Sequence, residues 1–261
     1  MKKLYFGSNL KMYKNIRETT DYLIRLQKLT QDLEHEKITL FIIPSYTSLD
    51  RASGITDQNQ IMLGAQNMCW EEVGQFTGEI SPLMLQELGI KIVELGHSER
   101  RHIFGETNEI IGQKVKAALE HGFIALLCIG ETGKEKQCGI SDEILRIQLK
   151  TGLSKVCEEE LDKLWIAYEP VWAIGVNGLP ASSDYAQEKH HVIKNILQEL
   201  FGEPGKAVPV LYGGSVNLEN AGGLIQQPDI DGLFVGRSAW DAEKFNQLIR
   251  DATEAVNMEV S

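Results

Sequence analysis

Glu169 closes the apolar run "LWIAYEP" and opens the segment "YEPVWAIG" at residues 168–175. A carboxylate set between Tyr168 and Pro170, with Trp172 nearby, is shielded from water, and lost hydration raises its proton affinity toward the range a general base needs. The competing reading is a strand-end glutamate in a salt bridge. His97 follows "IKIVELG" directly and is trailed by Ser98, Glu99, Arg100 and Arg101. A short helix starting there would disfavour a second proton on the ring, leaving a neutral donor for a substrate oxygen; a satisfied structural histidine is the alternative. Arg100 and Arg101 are expected to pair with neighbouring carboxylates. Asn9 and Lys11 lie two apart at the end of "LYFGSNLK", so in an extended strand both side chains point to one side. The lysine is then a counter-ion for an anionic substrate, or else a solvated surface residue. A base, a neutral donor and a cation together suit acid–base chemistry on an anionic substrate.

Glycines end two further apolar runs, "YGGS" at 212–215 and "GLFVG" at 232–236. Each alone is an ordinary turn. As a pair in adjacent loops they suit a phosphate, because glycine lets backbone N–H groups approach an anion.

These residues need a scaffold that brings strand ends together. Eight short apolar runs, beginning at "LYFGSN" and ending at "IDGLFVGRS", are each followed by a stretch of helical periodicity, such as 16–33, 108–120, 141–159 and 184–200. Continuously apolar strands are what a parallel sheet covered on both faces requires. The 261 residues divide into eight units of near-equal length, which favours an α/β single-domain (β/α)8 barrel over an open doubly wound sheet, and no GxGxxG follows the first strand. The whole chain, 1–261, is expected to form that one domain, with no linker or low-complexity block. In such a barrel the chemistry sits at the C-terminal ends of the strands, where all the residues above fall.

The formal net charge of −11 argues against nucleic acid or an anionic membrane as partner, since both call for a basic face. No apolar run reaches ~18 residues, so a leaderless cytoplasmic protein is expected. Four cysteines without paired spacing read as reduced, mostly buried thiols and imply no metal.

With these residues in place, the chain resembles the triosephosphate isomerase family over essentially its full length. The matching motifs are "SNLKM" at 8–12, "GAQN" and "FTGEISP" within 64–82, "LGHSERR" at 95–101, "CIGE" at 128–131, "YEPVWAIG" at 168–175, "YGGSV" at 212–216 and "GLFVG" at 232–236. The resemblance implies a TIM barrel and a cofactor-free aldose-ketose isomerase. Glu169 would be the base and His97 the neutral electrophile, roles for which this family is itself the standard example. Lys11 and Asn9 would give electrostatic and hydrogen-bonding support, with Glu99 beside Lys11. Gly175, Ser215 and Gly236 would hold the phosphate. "PVWAIG" would close as a lid on Tyr212 and Ser215, excluding the water in which a phosphorylated enediol eliminates phosphate. The Phe76–Glu79 loop, through Thr77, would reach a second copy and make a homodimer. The default substrates are glyceraldehyde 3-phosphate and dihydroxyacetone phosphate, which would place the enzyme in glycolysis and gluconeogenesis.

Three departures bear on the substrate. After "AIG" the chain reads "VNGLPASSDYAQ" where the family has "TGK" and "TA"; Leu10 replaces a tryptophan; and Arg237 stands at the second glycine of the last phosphate turn. An arginine cannot stand in for glycine where the backbone must approach an anion, but it adds a bidentate phosphate contact if it faces the site. "GLPASSDYA" and "GRSAW" resemble a branch that isomerises four-carbon erythrulose phosphates in tetritol catabolism. D-erythrulose 4-phosphate is therefore the rival substrate, and a non-catalytic phosphate-binding barrel the remote one.

Overall fold

The structure is a computed structural model that describes residues 2–175 and 178–258. Eight parallel strands close into a barrel in sequence order: β1 (Leu4–Asn9), β2 (Ile38–Ile43), β3 (Met62–Ala65), β4 (Ile92–Leu95), β5 (Ile124–Ile129), β6 (Leu164–Tyr168), β7 (Val210–Tyr212) and β8 (Gly232–Phe234). Closure is made by β1 against β8, with Tyr5, Phe6 and Gly7 opposite Gly232, Leu233 and Phe234. Around the barrel lie α1 (Ile16–Thr30), α2 (Tyr46–Ser53), α3 (Pro82–Glu87), α4 (Ser98–His102), α5 (Asn108–Glu120), α6 (Gly133–Gln137), α7 (Ser141–Gly152), α8 (Ser183–Phe201), α9 (Ala221–Ile225) and α10 (Ala242–Met258).

Strand periodicity sorts the apolar residues into two layers. Phe41 and Ile43, Leu126 and Cys128, and Trp165 and Ala167 are spaced by two and pack inside the barrel with Ile92, Leu211 and Phe234. Their neighbours Leu40, Ile42, Leu127, Ile129, Ile166 and Tyr168 face outward under the helices. The helices supply the matching stripe. In α1 the buried residues are Thr19, Tyr22, Leu23, Leu26 and Thr30, and the helix starts at a reciprocal cap in which Asn15 and Glu18 each accept from the other's backbone.

Two expected boundaries shift: the helix read as 16–33 ends at Thr30, and the second change is larger. The helix read as 141–159 stops at Gly152, and a 3-10 turn at Glu158–Lys163 leads into β6. The end of α7 lies against Gly112 of α5, where a Cβ would come 2.9 Å from the Thr151 carbonyl, so the two helices approach closely at that point. The thiols differ as well. Cys69 and Cys128 are buried, but Cys138 and Cys157 are exposed, and all four are free. Among the described residues no helix is long and apolar enough to cross a membrane.

Candidate active site

A cavity of about 640 Å³ opens at the C-terminal ends of the strands. Asn9, Lys11, His97, Glu99, Glu169, Gly175, Ser215, Gly236 and Arg237 all line it, so the expected catalytic and phosphate-binding residues converge here.

Glu169 directly follows β6, and its backbone N–H donates to the Ile129 carbonyl at 2.7 Å. Two glycines make room for it. A Cβ on Gly130 would sit 2.0 Å from the Glu169 carbonyl oxygen, and one on Gly213 would sit 2.7 Å from its Cγ. The side chain is buried, and Oε2 has no hydrogen-bond partner among the described residues. Burial raises its proton affinity above the ordinary carboxylate value, against the pull of His97 and Lys11. An unpartnered, desolvated carboxylate oxygen beside a cavity has the lone pair and the basicity to take a proton from carbon.

His97 sits at the N-terminus of α4. Its Nδ1 accepts from the Glu99 backbone N–H at 3.1 Å, which puts the ring proton of the neutral tautomer on Nε2. That Nε2 lies 3.7 Å from Glu169 Oε2, too far for a hydrogen bond but close enough for both groups to bracket one small molecule.

Lys11 reaches the site by a route other than the expected one. β1 ends at Asn9, and Lys11 adopts φ 50°, the left-handed region, so the two side chains do not share one face of an extended strand. That conformation costs roughly 1–2 kcal/mol in a non-glycine residue. It is held by the Asn9 Oδ1, which accepts the Lys11 backbone N–H at 2.6 Å, and by Gln66, whose amide donates to both Asn9 Oδ1 and the Lys11 carbonyl. Lys11 Nζ then donates to Glu99 Oε1 at 2.8 Å. The ion pair raises the lysine's proton affinity despite the opposing desolvation, and it lowers that of Glu99 against burial, so both stay charged. Of the two arginines after Glu99, Arg100 does pair with a carboxylate, Glu106 at 2.8 Å. Arg101 donates instead to the Gly96 and Cys128 carbonyls and to Asn108.

The opposite wall is glycine-lined and open. Arg237 is exposed, starts a 3-10 turn, and has no left-handed backbone, so it does not need to imitate glycine. Its Nη2 donates to the Gly175 carbonyl at 3.0 Å, tying the last strand's turn to the lid segment. Residues 176 and 177 of the altered lid lie outside the described residues. Beyond them Ser182 caps α8 by accepting the Tyr185 N–H, so "ASSDYAQ" is a helix start. Tyr212 is buried at the end of β7, and its hydroxyl has no hydrogen-bond partner among the described residues. The loop around Phe76–Glu79 is exposed, Thr77 included, with Phe76 edge-on to Trp70.

Sequence reasoning missed two groups. Glu131 is fully buried and accepts from the Tyr168 hydroxyl, Trp172 Nε1 at 2.8 Å and the Tyr185 hydroxyl at 2.9 Å, while Lys136 lies over both the Trp172 and Tyr185 rings. The start of the lid is thus anchored through a residue of α8. Glu94 is the second. It is fully buried inside the barrel below Glu169, and its signal was a charge two residues after Ile92 in an otherwise apolar strand.

With this geometry in view, a family model described as triosephosphate isomerase matches residues 4–252. A protein of Rhizobium etli named L-erythrulose-1-phosphate isomerase is 46% identical over 256 residues, covering 97% of this chain and 94% of its own length. Proteins of the same name from Mesorhizobium japonicum and Brucella abortus are 43% and 44% identical, covering 98% and 95% of this chain and 100% and 96% of their own. These relatives overturn the expectation of a glycolytic enzyme acting on glyceraldehyde 3-phosphate and dihydroxyacetone phosphate, and they favour the four-carbon rival. An expected base, a neutral histidine and a lysine at one barrel mouth, together with the match across nearly the whole length, lead to one conclusion: the chain belongs to the triosephosphate isomerase family of sugar-phosphate isomerases.

Proposed function

We propose that the protein interconverts L-erythrulose 1-phosphate and D-erythrulose 4-phosphate, with Glu169 as the base. The observation that carries this is the desolvated, unpartnered Glu169 Oε2 facing His97 Nε2 across a cavity that also holds Lys11. Relatives of 43–46% identity named for L-erythrulose 1-phosphate support the choice of substrate.

The chemistry follows from the substrate's carbons. In L-erythrulose 1-phosphate the carbonyl is carbon 2, and its neighbour carbon 3 carries a hydroxyl and a hydrogen. Glu169 removes that hydrogen as a proton, and the electron pair forms the enediolate across carbons 2 and 3. Glu169 then returns the proton to carbon 2, while a proton passes from the oxygen of carbon 3 to that of carbon 2 through His97. The carbonyl now sits on carbon 3, and the product, numbered from its other end, is erythrulose 4-phosphate. Both partners are ketoses, so the reaction refines the aldose–ketose expectation. No electrons leave the substrate, and the residues named here suffice without a cofactor.

Lys11 stabilises the enediolate charge; Glu99 holds its ammonium, and Asn9 and Gln66 hold its left-handed turn. Gly175, Ser215 and Gly236 receive the phosphate, with Arg237 adding charge at the rim. The exposed Phe76–Glu79 loop suits a contact with a second copy, and light scattering of the purified protein tests the homodimer. For the reaction itself the test is proton NMR in deuterated water. L-erythrulose 1-phosphate should become a 4-phosphate ketose whose former carbonyl carbon carries the hydrogen returned by Glu169, or deuterium where the carboxyl has exchanged with solvent, and a Glu169→Gln variant should not catalyse it. Binding without turnover would leave a phosphate-binding barrel.

A further inference from the structure

The floor of the site contains an acid that the reaction above does not use. Glu94 follows Ile92 by two residues in β4, so its side chain points into the barrel, where it has no exposed surface. Its Oε2 accepts from Asn9 Nδ2 at 2.6 Å. Its Oε1 lies 3.7 Å from the Cys128 sulfur, and donor atoms of Glu94, Cys128 and Glu169 all fall within 4.8 Å of one another. None of its hydrogen bonds comes from a cation.

Two carboxylates this close in a dry interior do not both ionise; one proton is retained between them. The surroundings decide where it resides. The groups facing Glu94 are Cys128 from β5, Glu169 after β6, Lys11 after β1 and Glu99 from α4; Gln66, after β3, is neutral and reaches Asn9. Burial and then the Glu169 charge push Glu94 well above the ordinary carboxylate range, with Lys11 pulling the other way. Glu169 has the His97 ring at 3.7 Å as well as Lys11 to favour its ionised form and lines the cavity, whereas Glu94 has Lys11 alone and does not line it. The thiol between them is pushed well up by burial and stays protonated.

We propose that Glu94 is a positioning residue: it carries the single proton of the buried Glu94–Cys128–Glu169 group, fixes the Asn9 amide, and so leaves Glu169 as the ionised base. The retained proton sits on Oε1, which keeps a lone pair to accept from the Cys128 thiol, while Oε2 stays free to accept from Asn9. Because Asn9 spends its amide N–H on Glu94, its Oδ1 is directed to the Lys11 backbone, which links the floor to the left-handed turn of the lysine. Removing the proton would place a second negative charge beneath the reacting carbons, where the enediolate charge develops, and slow the reaction. The inference rests on the isomerase reading for its kinetic consequence but not for its protonation state.

The experiment is infrared spectroscopy of the ligand-free protein at neutral pH, in water and deuterated water, for wild type, Glu94→Gln and Glu169→Gln. The expected result is a protonated-carboxyl stretch in wild type that persists in Glu169→Gln and vanishes in Glu94→Gln. The kinetic companion is the pH profile of kcat/KM: wild type should decline on the alkaline side below the titration of Lys11, and Glu94→Gln should lack that decline. Glu94→Ile, which leaves the Asn9 amide unpaired, should be about tenfold slower than Glu94→Gln. A wild-type spectrum without the band, a band lost in Glu169→Gln, or an alkaline decline retained in Glu94→Gln would overturn the proposal. Should Glu94→Gln not fold, the wild-type and Glu169→Gln spectra still decide. If no tetrulose phosphate is turned over, the isomerase reading fails while the infrared result stands on its own.

Discussion

The two walls of the cavity are built on different terms. On the β1, β4 and β6 side, Asn9, His97 and Glu169 are at most 8% exposed; side-chain hydrogen bonds orient Asn9 and His97, and Glu169 is set by its backbone bond to Ile129 and by Gly130 and Gly213 packed against it. On the β7, β8 and lid side, Gly175 and Arg237 are exposed, and the contact between them is one hydrogen bond. The difference shows where the fold can change substrate without changing chemistry. Proton transfer needs groups held to a fraction of an ångström, which only rigid strand ends and close-packed glycines provide. Phosphate recognition and the fit of an extra carbon tolerate a rim that differs in sequence.

The largest effect expected is on the rigid wall. Glu169→Gln should lower kcat by roughly 10² to 10⁴ while largely sparing affinity for inorganic phosphate; equal losses in both would mean the two walls are not separable. The same variant should be more stable than wild type. Because the folded protein raises the proton affinity of Glu169, the ionised base destabilises the fold as pH rises, so the gap in Tm should be widest at and above neutral pH and close as pH falls through the ordinary carboxylate range. His97→Gln should cost about 10² to 10³ in kcat through loss of a donor aimed at the enediolate oxygens. On the rim, Arg237→Gly should weaken four-carbon turnover by about tenfold, mainly through KM, as expected for one charged hydrogen-bond donor; an unchanged kcat/KM would remove Arg237 from the substrate's surroundings. Smallest is Tyr185→Phe, which takes one hydroxyl from Glu131 and should change kcat roughly fivefold by loosening the anchor of Trp172. No change there would confine Tyr185 to packing.

The sequence made the rigid wall legible because it is encoded locally: each residue ends an apolar run, and strand ends of one barrel must meet. The helix spans of α5 and α8 were legible for the same reason, from periodicity with caps at Thr107 and Ser182. What stayed hidden depends on pairing across the chain. Lys11 and Asn9 read as strand neighbours because a left-handed turn held by Gln66, 55 residues away, leaves no local signature. Glu131 was visible at the end of β5, but its three aromatic partners come from β6, the lid and α8. Glu94 was overlooked because a single acid in an apolar strand becomes meaningful only once Cys128 and Glu169 are beside it. The four-carbon substrate proposed here rests on the relatives, because the rim's departures alone left two substrates open.

The most direct measurement is kcat/KM for the purified protein on L-erythrulose 1-phosphate and on glyceraldehyde 3-phosphate, side by side under one set of conditions. A strong preference for the four-carbon ketose is the expected result, with the base of the family unchanged and the rim responsible for the choice. A preference for the triose would contradict it, and would make Arg237 and the altered lid tolerated variation around the three-carbon reaction.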